Sequence, residues 1–332
     1  MPASLPHDLR SIADKAPLMR RRMELMHAVR AFFDHKNYIE VETPYLVQTP
    51  GEEVHLRCFS TILEKPDGEK EKRFLHTSPE FAMKRLVAAL QSPIYQFARV
   101  WRNGEKSATH HPEFTMLEWY HPKADLTALM DETEDLLKTI LPSEIHYKSN
   151  TIKLSAPFER LTLEDAFHRY VGADLLGTIN DAEALARQAG VLLREGEEWE
   201  DLFFRLMLEK IEPFIGREKP TFLTHWPAPQ AALSKKDPHD ERVALRFELY
   251  AGGLELANAF EELTDQNEQR KRFEIDRARR LDLYKDQDWP LDEAFLKSIS
   301  FMPPCSGIAL GFDRLAMLAT NAPSIDDLLW LG

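Results

Sequence analysis

Residues 99–120, RVWRNGEKSATHHPEFTMLEWY, constrain this chain more than any other stretch. Side chains of a strand alternate between its faces. From Glu113 to His121, Phe114, Met116, Glu118 and Tyr120 therefore share one face, and Thr115, Leu117 and Trp119 the other. Ile94–Arg102 predicts a partner strand, with the polar residues 103–112 looping between the two. An aromatic ring, a carboxylate and a phenol in one row suit a pocket for a cation beside a flat ring better than they suit a core. The loop adds Arg102, His110 and His111, donors fit for phosphate oxygens. The same residues also fit a solvated hairpin with an acid and a tyrosine at its rim, and this segment alone leaves both readings open.

Composition narrows the classes. Forty-two basic against 55 acidic residues give a net charge of −13, which argues against a surface that grips nucleic acid all over but leaves room for a local basic patch. A chain of 332 residues with 43% apolar and 29% charged content can bury a full core. Cys58 and Cys305 are the only cysteines, so a disulfide scaffold and a four-cysteine zinc site are both excluded. The first 16 residues are polar and predict neither a signal peptide nor a membrane anchor, so a soluble cytoplasmic protein is expected.

No repeats or low-complexity tracts appear. Residues 1–16 read as a leader. Leu18, Met19, Met23, Met26, Val29, Phe32 and Phe33 then recur at helical spacing up to His35. Residues 38–42 alternate like a strand and stop at Thr43-Pro44. Glu64–Lys72 predicts a charged hairpin tip and Arg73–Thr77 a strand. Ser78-Pro79-Glu80 opens a helix to about Leu90, with serine as cap and proline in first position. Leu126–Leu141 is helical. Thr162–Tyr170, Asp181–Ala189 and Trp199–Ile215 predict a helical insertion at about 158–217. Thr221–His225, Leu245–Tyr250 and Leu254–Ala257 return to strand, Glu261–Tyr284 to helix, and Gly307–Gly311 leads into a last helix. The pattern predicts an α+β fold on a mainly antiparallel sheet flanked by helices.

Two further clusters carry chemistry. Arg246–Leu263 sets Glu248, Glu255, Asn258 and Glu262 into an apolar strand region, where acids are costly unless a cation or metal pairs with them. Such hard oxygens suit Mg²⁺ on nucleotide phosphates, while this segment alone favours an edge strand with exposed acids. Parity places Glu255 out of phase with Asn258 and Glu262, so convergence requires a bend at Ala257–Ala259. Gly307–Arg314, GIALGFDR, ends a strand and starts a helix, and it lacks the phosphate-cradling P-loop pattern.

In order along the chain, these segments resemble the class II aminoacyl-tRNA synthetases. Thr43-Pro44 after a long helix resembles motif 1, Arg102–Glu118 motif 2 and Gly307–Arg314 motif 3. TSPE ending at Glu80, HPEFTMLEWY at 111–120 and LELANAFEEL at 254–263 are most similar to the lysyl-tRNA synthetase catalytic domain. The resemblance spans about residues 15–328. About 17 residues precede the motif 1 helix, too few for an anticodon-binding barrel, so residues 17–332 are expected to form the catalytic domain alone. Free-standing cores of this kind resemble the elongation factor P–lysine ligases.

That resemblance implies ATP and Mg²⁺ as cofactors, lysine or (R)-β-lysine as substrate, elongation factor P as protein acceptor, and a homodimer built on the motif 1 helix; tRNA is not expected. For ATP it implies Arg102 at the α-phosphate, His110 and Arg314 at the outer phosphates and Phe114 against adenine. Asn103, Gly104, His111, Leu256 and Gly311 would line the nucleotide site, and Glu248 and Glu255 would hold Mg²⁺. Arg102, Arg314 and Glu255 carry the catalytic role. For the substrate it implies Ser78, Pro79 and Glu80 near the reacting carboxylate. Glu118, Tyr120 and Glu262 would hold the distant ammonium, with Asn258 at the carboxylate end. Gly104, His111 and Ala309 depart from the family pattern, and the methyl of Ala257, where glycine is usual, is expected to favour a β-amino acid. A catalytically silent ATP- and amino-acid-binding relative and a minimal lysyl-tRNA synthetase are the other readings.

Overall fold

A computed structural model describes residues 7–331. Its centre is an eight-stranded sheet in the spatial order Ile39–Glu40, Ile94–Trp101, Glu113–Pro122, Cys305–Gly311, Leu254–Glu261, Val243–Ala251, Thr221–Pro227 and Glu159–Thr162. The inner strands run antiparallel, and only the two edge pairings, 39–40 with 94–95 and 159–162 with 221–224, are parallel. This is the mainly antiparallel α+β architecture that the strand and helix pattern predicts.

Alternation gives the sheet two unlike faces. Leu117, Trp119, Phe247, Leu249, Ile308 and Leu310 project to one side and pack with Leu25, Val29 and Phe33 of the Ala16–His35 helix. Phe33 is fully buried and stacks on Tyr95 at 4.6 Å. Burial of a side chain that large contributes roughly 1.5–3 kcal/mol, enough to fix this helix against the sheet. The Leu126–Ile140 and Phe312–Thr320 helices complete the layer. The opposite face carries the polar residues. One side chain ties the three sequence motifs together: Arg22 on the long helix donates to Asp313 (2.9 Å) and to the Thr115 hydroxyl (2.8 Å). Asp313 also accepts from the Thr115 backbone N–H at 2.7 Å.

Caps set most helix starts. Asp125, Asp181, Asp265 and Asp292 each accept a backbone N–H of the first turn. Asp265 explains one departure from expectation: the charged helix begins at Gln266, and the preceding strand runs on to Glu261 because Phe260 and Glu261 still pair with Gly307 and Ser306. At the 78–80 turn, Pro79 is the cap position and the helix starts at Glu80, with the Ser78 hydroxyl accepting the Glu80 N–H at 3.0 Å. The strand expected at 38–42 pairs only over Ile39–Glu40, because Tyr38 turns inward to donate to Glu132 at 2.6 Å. The charged tip is a hairpin of Ser60–Glu64 with Lys70–Leu75. In the expected leader, residues 1–6 lie outside the described residues; His7–Asp14 is helical, and Lys15 donates to the Asp326 and Leu329 carbonyls at 2.8 Å each. After the 159–162 edge strand, helices Leu163–Tyr170, Ala182–Ala189 and Trp199–Leu206 enclose a second core around Phe167 and Phe203, and a π-turn follows at Met207–Ile211.

Candidate active site

The polar face of the sheet floors a cavity of about 530 Å³. Register explains its floor. Glu248, Asn258, Ala309, Glu118 and Gln96 stand side by side across five strands. The bend required for Glu255 exists, one residue earlier than expected: Leu249 faces Ala257 while Tyr250 faces Glu255, so Leu256 is the extra residue of a β-bulge. The bulge restores parity and brings Glu255 onto the face of Glu248 and Asn258.

At one end of the cavity are Arg102, Phe114, His110, His111, Glu255 and Arg314. The Arg102 guanidinium lies 5.3 Å from the Phe114 ring centre, and its buried Nε has no hydrogen-bond partner. Arg314 donates to the Glu255 carbonyl at 2.8 Å and to His110 Nε2 at 2.6 Å. Burial and the neighbouring Arg314 lower the His110 pKa, so this imidazole is a neutral acceptor that steers Arg314. Leu256 and Gly311 also line this region. Asn103 and Gly104 do not: the Asn103 N–H bonds the Arg57 carbonyl at 2.8 Å, and Gly104 makes the turn at φ +88°, a left-handed conformation that glycine accepts best. That turn accounts for the glycine in the motif 2 loop, and the following Glu105 lies in the cavity wall instead.

At the other end, Ser78, Glu80 and Asn258 line the wall, while Glu118, Tyr120 and Glu262 are buried beneath it and Pro79 serves only the turn. Glu118 accepts from Ser78 at 2.9 Å and from Tyr120 at 2.7 Å. Burial, reinforced by Glu80, pushes the Glu118 carboxyl up to about 8. Gly307 is required here, since a Cβ would come within 2.4 Å of both Glu262 and the Tyr120 ring. Lys84 was not singled out from the sequence, yet it is central. Buried on the Glu80–Leu90 helix, it bridges Glu80 and Glu262 at 2.5 Å each. Burial works against its charge, but Glu262 and Glu80 raise its pKa, so the ammonium persists. Its spacing from Glu80, four residues on a helix, was the signal available.

Glu248 and Glu255 are the candidate metal ligands. Glu248 accepts from Arg246 at 2.5 Å and from Tyr250 at 2.6 Å, and it is held up at about 7 by burial and then by Glu255. Two mutually repelling carboxylates on one face, beside Arg102 and Arg314, fit Mg²⁺, which commonly takes one or two protein carboxylates and completes its shell with water and phosphate. Among the described residues no third acid, histidine or cysteine joins them. Ala257 borders the cavity, the position that its expected role requires. It pairs with Leu249 and Leu310 and packs against the apolar core behind that wall, and Ala309, between Asn258 and Glu118, is a second methyl at the cavity.

Comparison with known proteins identifies the family. The model of the class II tRNA synthetases (D, K and N) matches residues 8–331. The chain belongs to this class II synthetase family. Within it, the elongation factor P–(R)-β-lysine ligase of Proteus mirabilis is 42% identical over 316 residues, 93% of each chain. The proteins of that name from Haemophilus influenzae and Mannheimia succiniciproducens are 41% identical over 315 residues and 42% over 314, covering 93% and 94% of this chain. The class II family implies ATP use. No helix among the described residues is long and apolar enough to cross a membrane.

Proposed function

We propose that this chain is an ATP-dependent ligase that adenylates (R)-β-lysine or lysine and transfers it to a lysine side chain of elongation factor P. The observation that carries the reading is the two-ended cavity: the guanidinium groups of Arg102 and Arg314 at one end, and carboxylates at and beneath the other. The first suits a triphosphate and the second a diamino acid. Relatives matching along nearly the whole chain carry the name of this activity.

A substrate carboxylate oxygen attacks the α-phosphorus, and pyrophosphate leaves with the bond electrons. The acceptor amine then attacks the acyl carbon, AMP departs, and the amine nitrogen loses a proton to give the amide. Arg102 holds the α-phosphate and meets the charge that grows on it, Arg314 holds the outer phosphates, and Phe114 packs on adenine. Glu118 and Glu262 anchor the distal ammonium, and Asn258, fixed by Arg246 at 3.1 Å, orients the carboxylate. Mg²⁺ at Glu248 and Glu255 would supply charge neutralisation on the phosphates. No side chain need act as nucleophile; both cysteines are buried, and burial pushes the Cys58 thiol up to about 12. Exposed Met23, Ile39, Tyr45 and Leu46, on and just after the motif 1 helix, support a homodimer through that face. Sedimentation at micromolar concentration should show it; a monomer would refute it.

Incubation with ATP, (R)-β-lysine and elongation factor P tests the reading by mass spectrometry. Addition of one lysyl residue to the acceptor is expected. Charging of tRNA with no change to elongation factor P would favour the minimal synthetase instead.

A further inference from the structure

Glu53, in the loop after Leu46–Val47, is a cavity-wall residue to which the family motifs give no role. Its loop is pinned from both sides. Thr49 donates to the Pro290 carbonyl at 2.8 Å, Trp289 donates to the Gly51 carbonyl at 2.9 Å, and Glu52 forms a buried ion pair with Arg280 at 2.8 Å. Thr77 closes the loop onto the 78–80 turn by donating to the Pro50 carbonyl at 3.0 Å. The Glu53 carboxylate is left uncommitted. Among the described residues only its own backbone amide reaches it, and a Cβ on Gly51 would lie 2.8 Å from both Glu53 Oε2 and Thr77 Oγ1, which places the acid against that same turn.

We propose that Glu53 binds the substrate amino group nearest the reacting carboxylate, acting as a specificity residue for a diamino acid. Charge balance favours it over Glu80. Lys84 already compensates Glu80 and Glu262, and Glu118 receives two neutral hydrogen bonds. Glu53 therefore has no bonded cation of its own among the described residues; Arg102 and Lys84 act on it only at a distance, with Glu80 opposing them. Burial and then Glu80 raise its pKa, the state a substrate ammonium would relieve. A carboxylate between Arg102, which takes the α-phosphate, and the 78–80 turn lies where the acyl-phosphate bond forms. An amino group near that carboxyl falls within its reach. The proposal rests on the ligase reading above.

The test compares (R)-β-lysine with 6-aminohexanoate, which keeps the carboxylate and distal ammonium but lacks the nearer amino group. In amino-acid-dependent pyrophosphate exchange, Glu53→Gln should raise KM for (R)-β-lysine by about 10- to 100-fold, as expected for losing a charged partner. KM for ATP and turnover of 6-aminohexanoate should move by less than about threefold, and Glu53→Asp should recover part of the loss. Equal losses with both substrates would overturn the proposal and mark Glu53 as structural. An unchanged KM with slower transfer to elongation factor P would overturn it in favour of a role in the second step. Failure of the unaltered protein to support exchange with (R)-β-lysine would instead sink the ligase reading itself.

Discussion

The two ends of the cavity handle charge in opposite ways. At the proposed phosphate end Arg314 is held by the Glu255 carbonyl, a neutral imidazole and, more loosely, the Glu255 carboxylate at 3.4 Å, and Arg102 lies against a ring face. That offsets only part of their charge and, on the proposed reading, leaves the rest for an anionic ligand. At the amino-acid end the acids outnumber the cations, and the fold supplies one internal ammonium, Lys84, between two of them. A buried charge left alone is expensive, so the first end is stable because guanidinium groups tolerate weak partners, and the second only because Lys84 cancels part of the excess. On the proposed reading, the ligand's own charges complete the site.

Removing the internal cation should break that balance most severely. Lys84→Met strands Glu80 and Glu262 in the interior and should destabilise the protein by about 3–5 kcal/mol. The loss in urea unfolding should be smaller at pH 5 than at pH 8, because stranded carboxylates can take up protons at the lower pH. A loss independent of pH would mean that the pair is not charged.

At the phosphate end, Arg102→Ala should slow adenylation by about 10²- to 10³-fold while calorimetric binding of (R)-β-lysine alone persists. Loss of both together would deny that the ends act separately. Glu118→Gln should do the reverse, weakening (R)-β-lysine by about tenfold or more with little effect on ATP binding. The floor can be probed more finely. Ala309→Gly should change the ratio of α- to β-lysine use by a few-fold, within the ~1–3 kcal/mol that a methyl in a pocket is worth, and Ala257→Gly, whose methyl also packs in the core, should change it less.

The pH dependence sharpens the same contrast. The folded Glu118 carboxyl titrates at about 8, above its ordinary value, so in the free protein it holds a proton that the unfolded chain would release. Its contribution to stability accordingly falls as pH rises from the ordinary carboxylate range toward 8. An arriving ammonium favours the ionised form. Binding of (R)-β-lysine should release protons near pH 7 and tighten toward pH 8, visible as a buffer-dependent binding enthalpy. Buffer-independent heat would place the ammonium elsewhere.

The strands were legible because their alternation is strong. Phe114, Met116 and Glu118 fall on the cavity face and Leu117 and Trp119 in the core, as period two requires. The motif residues Arg102, His110, Glu255 and Arg314 do line one cavity. What escaped was set by tertiary pairing. The bulge at Leu256 decides which face Glu255 occupies, and no local pattern announces which residue a partner strand will skip. Lys84 and Glu53 read as ordinary surface charges until the fold buries one between two acids and turns the other toward the cavity. The strand through Glu261 was hidden by its acids, which look helical until Asp265 is seen to cap the helix beyond them.

Exchange of pyrophosphate into ATP, run with (R)-β-lysine, with α-lysine and with no amino acid, tests the two-ended site most directly. Exchange that requires a diamino acid and prefers (R)-β-lysine is the result this account predicts. No exchange with either amino acid, in folded protein that still binds ATP, would contradict it and leave a nucleotide-binding relative without ligase chemistry.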